Sequence, residues 1–438
     1  MSRKITIIGG GSSTFTPQLM QHFIRSQVLR GSTITLMDVD THRLEVMDTL
    51  SRLLIAKTGA ALTIESTTDQ RTSLTAADFV ITAISVGGMD AWEKDIEIPA
   101  AYGIYMPIAD SVGPGGIMRA FRHIPVLASV ARDLAEVSPE AWIFNYTNPL
   151  TSNCMAMQRV APVRTVGLCT GSRYPRSAGY LAQLAGVEPE ELLVPAPAAG
   201  LNHCAAVLQL RLRDGRDAFP LLRERVTQPV MRWGLETYGL LPYSWVHWTE
   251  FYPSLFRLEE PYQGRLQGLR MQYGQAVHDM EKERARAARW ENLAERLAWD
   301  GEEFSLNVLP KGEKVQVVEI MEALVADNRD IHVVNVPNRG AIPNLPAEAI
   351  VEVSSLVGGY GIQPLQMPPL PKPVAATLRQ HITVQELTVE AALSGDRCVA
   401  LHAFLQDPQI ASVLTPQETG KLLDELLNVH AADLPQFT

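Results

Sequence analysis

Cys169 and His203 lie 34 residues apart, each closing a short apolar-led run, Val166-Gly167-Leu168-Cys169 and Gly200-Leu201-Asn202-His203. A thiolate and an imidazole are metal-ligand types, and two of them leave positions open for water or a chelating substrate. Taken singly, each has a blander reading: a lone Cys is usually a small buried hydrophobe and a lone His a satisfied core residue. The start of the chain gives the pair its weight. Gly9-Gly10-Gly11-Ser12-Ser13-Thr14 supplies the G-x-G half of a dinucleotide fingerprint, with Thr14 at the third glycine position. Gly9 and Gly11 would permit a tight turn and close backbone approach to a pyrophosphate, with Ser12 and Ser13 beside it at a helix N-terminus. Asp38 ends the next apolar segment; its carboxylate suits a ribose and repels a 2′-phosphate, favouring NAD over NADP. The competing reading is a strand–turn–helix without ligand.

Two further groups could do chemistry. Asp110-Ser111-Val112-Gly113-Pro114-Gly115-Gly116 is a second glycine-rich loop, followed by Arg119. It is either a plain turn into a helix with Arg119 solvated, or a substrate loop in which Asp110 and Arg119 meet hydroxyls. Asn145 and Asn148 follow a strand end, the edge at which open α/β sheets bind ligands. Asn148-Pro149 also suits a simple turn.

These residues need a scaffold, and the apolar pattern predicts one. Lys4–Ile8, Thr33–Met37, Phe79–Ala83 and Trp142–Phe144 read as short buried strands, with a helix over about Pro17–Arg30. Strands alternating with helices imply a doubly wound parallel sheet of Rossmann type. After about residue 195 the pattern changes to a β-rich Ala205–Leu212, a charged run over Met280–Arg296 that reads as a solvated helix face, and strands at Ile331–Val336 and Ile350–Val353. From about Thr415 the chain reads as an amphipathic helix. The expected fold is therefore α/β: a nucleotide-binding unit over 1–195 and a second α/β (α+β) substrate and oligomerisation unit over 196–438.

Composition narrows the partners. The net charge of −10 argues against a nucleic-acid or anionic-membrane partner. No apolar run reaches the ~20 residues of a transmembrane helix. Four scattered cysteines and a first strand with no cleavage pattern before it lead us to expect a cytoplasmic protein.

Taken together, Val86-Gly87-Gly88, the segment from Ile108 to Ala120, Asn145-Tyr146-Thr147-Asn148-Pro149, Gly167-Leu168-Cys169 and Gly200-Leu201-Asn202-His203 resemble family 4 glycoside hydrolases, in particular the α-galactosidase/α-galacturonidase branch. The likeness runs nearly end to end and includes Asn344-Leu345-Pro346 and Val351-Glu352-Val353. That family departs from the two-carboxylate scheme of glycosidases. The resemblance implies a lactate/malate dehydrogenase-like fold, NAD and Mn²⁺ as cofactors, and a homodimer or homotetramer. It implies transient oxidation at sugar C3, loss of the C2 proton, elimination of the leaving group, and return of the hydride. Cys169 and His203 would hold the metal, Asn148 and its neighbours would touch substrate and cofactor, with Asn145 on the cofactor side and Asn202 on the substrate side.

Two departures from the family pattern matter. Thr170 follows the cysteine where relatives often carry His, Asp or Asn, so either Asp110 or a water protonates the leaving group, or the substrate has a leaving group that departs without help. Losing a general acid costs about 10²–10⁴ in rate. Trp92 stands where phospho-glycosidases carry a phosphate-reading Arg, and a neutral indole cannot form that bidentate pair. The expected substrate is thus an unphosphorylated hexoside or uronoside. The C2 base should come from Tyr243, His247 or Tyr252, with His247 the better suited by its ordinary pKa. Two other readings compete: an NAD-linked dehydrogenase of a polyol or hydroxy acid, and a catalytically silent NAD- or sugar-binding protein.

Overall fold

In the computed structural model of the chain, residues 2–255 and 315–437 are described, with the strands Leu258–Glu260 and Arg265–Leu266 and positions 285, 288 and 290. The charged run over 280–296 otherwise lies outside the described residues.

Six strands form the parallel half of one sheet: β1 (Lys4–Ile8), β2 (Thr33–Met37), β3 (Thr63–Thr67), β4 (Phe79–Thr82), β5 (Trp142–Asn145) and β6 (Arg164–Gly167). Their spatial order is β3-β2-β1-β4-β5-β6, all parallel. This is the doubly wound order, in which the crevice opens beyond the carboxyl ends of β1 and β4. Ile5, Ile7, Ile34, Leu36, Val80, Ile81, Ile143 and Phe144 are fully buried, as strands covered by helices on both faces require.

Among the described residues, those beyond 195 build no separate large sheet. They extend the same one antiparallel to β6, through Asp330–Pro337, Ile350–Gly358, Ala198–Leu201, Cys204–Val207 and Leu241–Pro242. The junction is narrow: Asn335 opposite Gly167 is the register pair joining the two halves. The first helix is shorter than its pattern suggests, Thr16–Arg25, because Ser26 turns extended and its hydroxyl accepts from Leu29 N–H. The amphipathic C-terminal helix runs over Pro416–Val429 behind a Thr415/Glu418 capping box.

One long helix, Gly113–Val137, is continuously buried from Gly113 to Ile124 and packs against the helices Leu150–Val160 and Lys372–Ser394. Its first turn emerges from the Asp110–Val112 loop, so that loop is anchored to the core. Asp407 fixes this end: its carboxylate accepts from Gly113 N–H at 3.1 Å.

Candidate active site

The glycine loop is built for close approach. Gly9 has φ +91°, and a Cβ there would lie 2.3 Å from the Ala83 carbonyl oxygen at the end of β4. A Cβ at Gly10 would meet the Leu36 side chain and the Met37 backbone nitrogen at 2.9 Å, and one at Gly11 the Arg43 side chain at 2.8 Å. Gly11 N–H donates to Asp38 at 2.9 Å, and Asp40 N–H to its other oxygen at 3.0 Å. Asp38 is thereby held at the loop, where a ribose would reach its remaining lone pairs. Ser12 accepts from Phe15 N–H ahead of the first helix, and Ser13 sits half-buried beside it. Gly9→Ala should therefore cost about 1–3 kcal/mol of backbone strain and weaken NAD binding at least ~10-fold. Unchanged NAD affinity in a fluorescence titration would count against this loop as the nucleotide cradle.

The loops after β4, β5 and β6 meet at the same edge. Asn145, fully buried, accepts from Thr82 Oγ1 at 2.8 Å and Thr147 N–H at 3.1 Å and donates to the Thr147 carbonyl at 3.0 Å. Its amide is spent on shaping the turn, which the strand-end position alone did not reveal. Asn148 is half-buried and donates to Asp110 at 2.8 Å. Buried His123 bridges the loops. It accepts from Val86 N–H at 3.0 Å through Nε2, so Nδ1–H must donate to the Asn148 carbonyl, 2.7 Å away.

Asp110, His203 and His247 converge, their candidate ligand atoms all within 4.8 Å of one another. They arrive from three places: the loop before the long helix, the hairpin turn between Ala198–Leu201 and Cys204–Val207, and the helix Trp245–Phe251. The two imidazoles stack at 3.6 Å between centroids and 17° between planes. His203 has φ +68°, a left-handed conformation costly for a non-glycine residue and typical of sites where geometry outranks comfort. Ser111 Oγ donates to Asp110 at 2.7 Å, so it accepts from His203 Nδ1–H, also at 2.7 Å. His203 Nε2 then keeps a free lone pair, the arrangement expected of a metal-binding imidazole oriented by its neighbours.

Glu250, absent from the sequence reading, lies beneath the cluster and is fully buried. One oxygen accepts from Ile108 N–H at 3.0 Å and Ala109 N–H at 2.8 Å, fixing Ala109 at φ +61° just before Asp110. The other oxygen has no hydrogen-bond partner and faces His247 Nδ1 at 3.7 Å, and that nitrogen also has none. Its place three residues after His247 on a helix was the available signal. Burial and then the adjacent His247 push His203 down to about 3. Burial also works against a charged His247, but Asp110 and Glu250 outweigh it and hold that imidazole above its usual value. For Asp110, burial acts upward, and His247, His203 and Arg119 together hold the carboxyl below the usual range. The cluster therefore favours an anionic Asp110, a protonated His247 and a neutral His203.

The remaining candidates divide. Cys169 caps the short 3₁₀ turn Thr170–Arg176, its sulfur accepting from Gly171 N–H at 3.3 Å, and stands outside the Asp110–His203–His247 group. Burial and nearby Glu352 push its thiol up to about 12, so a thiolate there calls for a bound cation. Asn202 touches that sulfur and donates to Glu352 at 3.1 Å. Tyr243 is buried and donates to the same Glu352 at 2.6 Å; burial and that carboxylate push its phenol far up, away from a base's role. Tyr252 packs among Trp233, Tyr238 and Trp248, and burial raises it likewise. Of the three aromatic candidates, His247 is the one the structure sets beside Asp110. Trp92 donates to the Ile108 carbonyl at 2.7 Å, with Arg119 stacked over its ring at 4.8 Å.

Comparison with known proteins agrees with this architecture. The profile of the Family 4 glycosyl hydrolase matches residues 4–174, and that of the Family 4 glycosyl hydrolase C-terminal domain matches residues 198–410. An α-galactosidase of Bacillus subtilis is 29% identical over 99% of this chain and 100% of its own. An α-glucosidase of Erwinia rhapontici is 31% identical over 93% of this chain and 94% of its own. An α-galacturonidase of Lachnoclostridium phytofermentans is 28% identical over 99% and 97%. Among solved structures, a putative glucosidase, lplD, of Bacillus subtilis superposes with a TM-score of 0.83 at 26% identity, covering 98% of this chain and 100% of that one. A 6-phospho-alpha-glucosidase from gut microorganisms, solved with NAD and Mn²⁺, gives 0.81 at 22% over the full length of both chains and shares the fold. A malate dehydrogenase of Plasmodium falciparum gives 0.51 at 12%, covering 89% of this chain and 98% of that one, which marks the dehydrogenase-like core. With both of its domain profiles matched across most of the chain, the protein belongs to glycosyl hydrolase family 4.

Proposed function

We propose that this glycosidase cleaves an unphosphorylated hexoside or uronoside in a redox-neutral reaction with NAD and Mn²⁺ as cofactors. The observation that carries the proposal is the meeting of Asp110, His203 and His247 at the strand edge that also bears the glycine loop. Two orphaned buried atoms there, His247 Nδ1 and Glu250 Oε2, fit a divalent cation or a proton between ligand-type side chains. His203 and Cys169 remain the ligands expected from the motifs, with Asp110 and His247 close enough to His203 to complete the set. When bound, NAD supplies a transient hydride acceptor for sugar C3, and Mn²⁺ a Lewis acid for the neighbouring hydroxyls.

The chain's own residues do the rest. The glycine loop binds the diphosphate and Asp38 the ribose. Asn148, steadied by His123, orients a sugar hydroxyl against Asp110. His247 and Asp110 exchange the protons, one taking that of C2 and the other delivering one to the departing oxygen. This answers Thr170: the acid function falls to the Asp110–His247 pair, not to the residue after Cys169. Trp92 in place of a cation supports a substrate without a phosphate. The division at residue 195, a cytoplasmic setting and assembly as a homodimer or homotetramer belong to the same reading. Among the described residues, no helix is long and apolar enough to cross a membrane.

The test is turnover of a glycoside panel in deuterated water with NAD and Mn²⁺. The expected result is free sugar carrying deuterium at C2 and no net NADH. Net NADH accumulation would mark a dehydrogenase instead, and tight NAD binding without exchange a silent binding protein.

A further inference from the structure

Glu352 is a carboxylate set deep in the sheet, on the strand Ile350–Gly358, and only 1% exposed. Among the described residues no Lys, Arg or His pairs with it, and three neutral donors hold it instead. Tyr243 Oη donates to Oε1 at 2.6 Å, and the Asn335 and Asn202 amides donate to Oε2 at 2.9 and 3.1 Å. An amide N–H can only donate, so the oxygen that the two asparagines share is fixed as an acceptor. Burying a carboxylate without a cation is costly, and an apolar side chain of similar size would join the same strands at less cost.

Each of the three donors lies close in the chain to a residue of the candidate metal centre. Asn202 immediately precedes His203, and its side chain also reaches the Cys169 sulfur. Asn335 uses the same nitrogen to donate to the Gly167 carbonyl at 3.3 Å, two residues before Cys169. Tyr243 stands just ahead of the helix Trp245–Phe251, which carries His247. One carboxylate thus gathers the three segments that deliver Cys169, His203 and His247. Strand register puts it there: Glu352 lies opposite Asn335 on one side and Gly200 on the other, and Asn335 is the residue that meets Gly167 where the two halves of the sheet join.

We propose that Glu352 is a positioning residue of the metal centre, holding the Cys169 turn and the His203 hairpin in fixed relation and offsetting the charge of a bound cation. The inference rests on the function proposed above and goes beyond it, since Glu352 belongs neither to the ligand set nor to the proton-transfer pair. A divalent cation on one thiolate keeps a positive charge, which a carboxylate behind the ligands balances. Residues that orient metal ligands from behind are worth about 10–100-fold in metal affinity. A role confined to joining strands predicts something different: a lower melting temperature, with the metal affinity of the folded protein unchanged.

Electron paramagnetic resonance of free Mn²⁺ reads that affinity without reference to turnover. Glu352→Gln keeps the size but removes the charge and turns an NH₂ toward groups that donate. It should weaken Mn²⁺ binding about 10–100-fold, with NAD affinity changed less than ~3-fold. Glu352→Asp keeps the charge on a shorter stem and should fall between Glu352→Gln and wild type. Asn202→Ala leaves the carboxylate in place and cuts its link to Cys169 and His203; it should cost about 10-fold in Mn²⁺ affinity. Combined with Glu352→Gln it should cost less than the two losses together, as expected of residues acting through one another. If Glu352→Gln does not fold, Glu352→Asp and Asn202→Ala decide by the same measurement. Mn²⁺ affinity within about threefold of wild type in folded Glu352→Gln would overturn the proposal. So would an equal loss of NAD affinity, which would assign Glu352 to the fold at large. Wild-type protein without Mn²⁺ affinity would remove the proposed function along with this inference, whereas wild-type binding beside an unaffected Glu352→Gln removes this inference alone.

Discussion

Asp110→Asn is expected to lower kcat by about 10²–10⁴-fold, the usual value of a positioned acid or base. The reason is the number of roles that converge on one carboxylate. Its oxygens accept from Ser111 and Asn148, and its charge favours the protonated form of His247 at 3.7 Å. An asparagine has similar shape but must turn an NH₂ toward one of those donors. It also withdraws the negative charge facing His247 and His203. The backbone around it should persist, because Glu250 holds Ile108 and Ala109 and Asp407 holds Gly113. NAD affinity, which we propose depends on the glycine loop and Asp38, should therefore change less than ~3-fold. Steady-state kinetics with a parallel NAD titration check both halves. A kcat within tenfold of wild type would remove Asp110 from the proton-transfer pair.

The second large effect concerns the metal. His203 is common to the pair Cys169/His203 and to the convergent group Asp110/His203/His247, so His203→Ala should weaken Mn²⁺ binding at least ~100-fold, about 2.8 kcal/mol. Turnover should fall with it and recover only at much higher metal concentration. Cys169→Ser should weaken Mn²⁺ less, by ~10-fold or more, because Mn²⁺ prefers oxygen and imidazole donors to a soft thiolate. Electron paramagnetic resonance of free Mn²⁺ measures both without reference to activity. Mn²⁺ affinity within threefold of wild type in Cys169→Ser would leave the metal to Asp110, His203 and His247. The same result in His203→Ala would refute the metal centre itself.

Some of this protein was written in short stretches of sequence. The parallel strands were legible because fully buried strands demand unbroken apolar runs, as in Lys4–Ile8 and Thr33–Met37. The glycine loop was legible because a backbone at φ +91° pressed against Ala83 tolerates glycine alone, and Asp38 follows the next strand. Joint motifs, read as a resemblance, identified the family. Three matters needed the tertiary structure. The antiparallel extension of the sheet hangs on the contact between Asn335 and Gly167, which no local pattern announces.

The convergence of Asp110, His203 and His247 was the second. Asp110, His203 and His247 come from segments more than 40 residues apart, and among Tyr243, His247 and Tyr252 only packing separates the residue facing the site from those committed to Glu352 or to the aromatic core. The third was the setting of Arg119, whose buried Nε finds no hydrogen-bond partner, a property of everything around it. Sequence determined what local backbone geometry and periodic burial require. Which charges face one another, and which are left facing a ligand, was decided only when distant loops closed over the same strand edge.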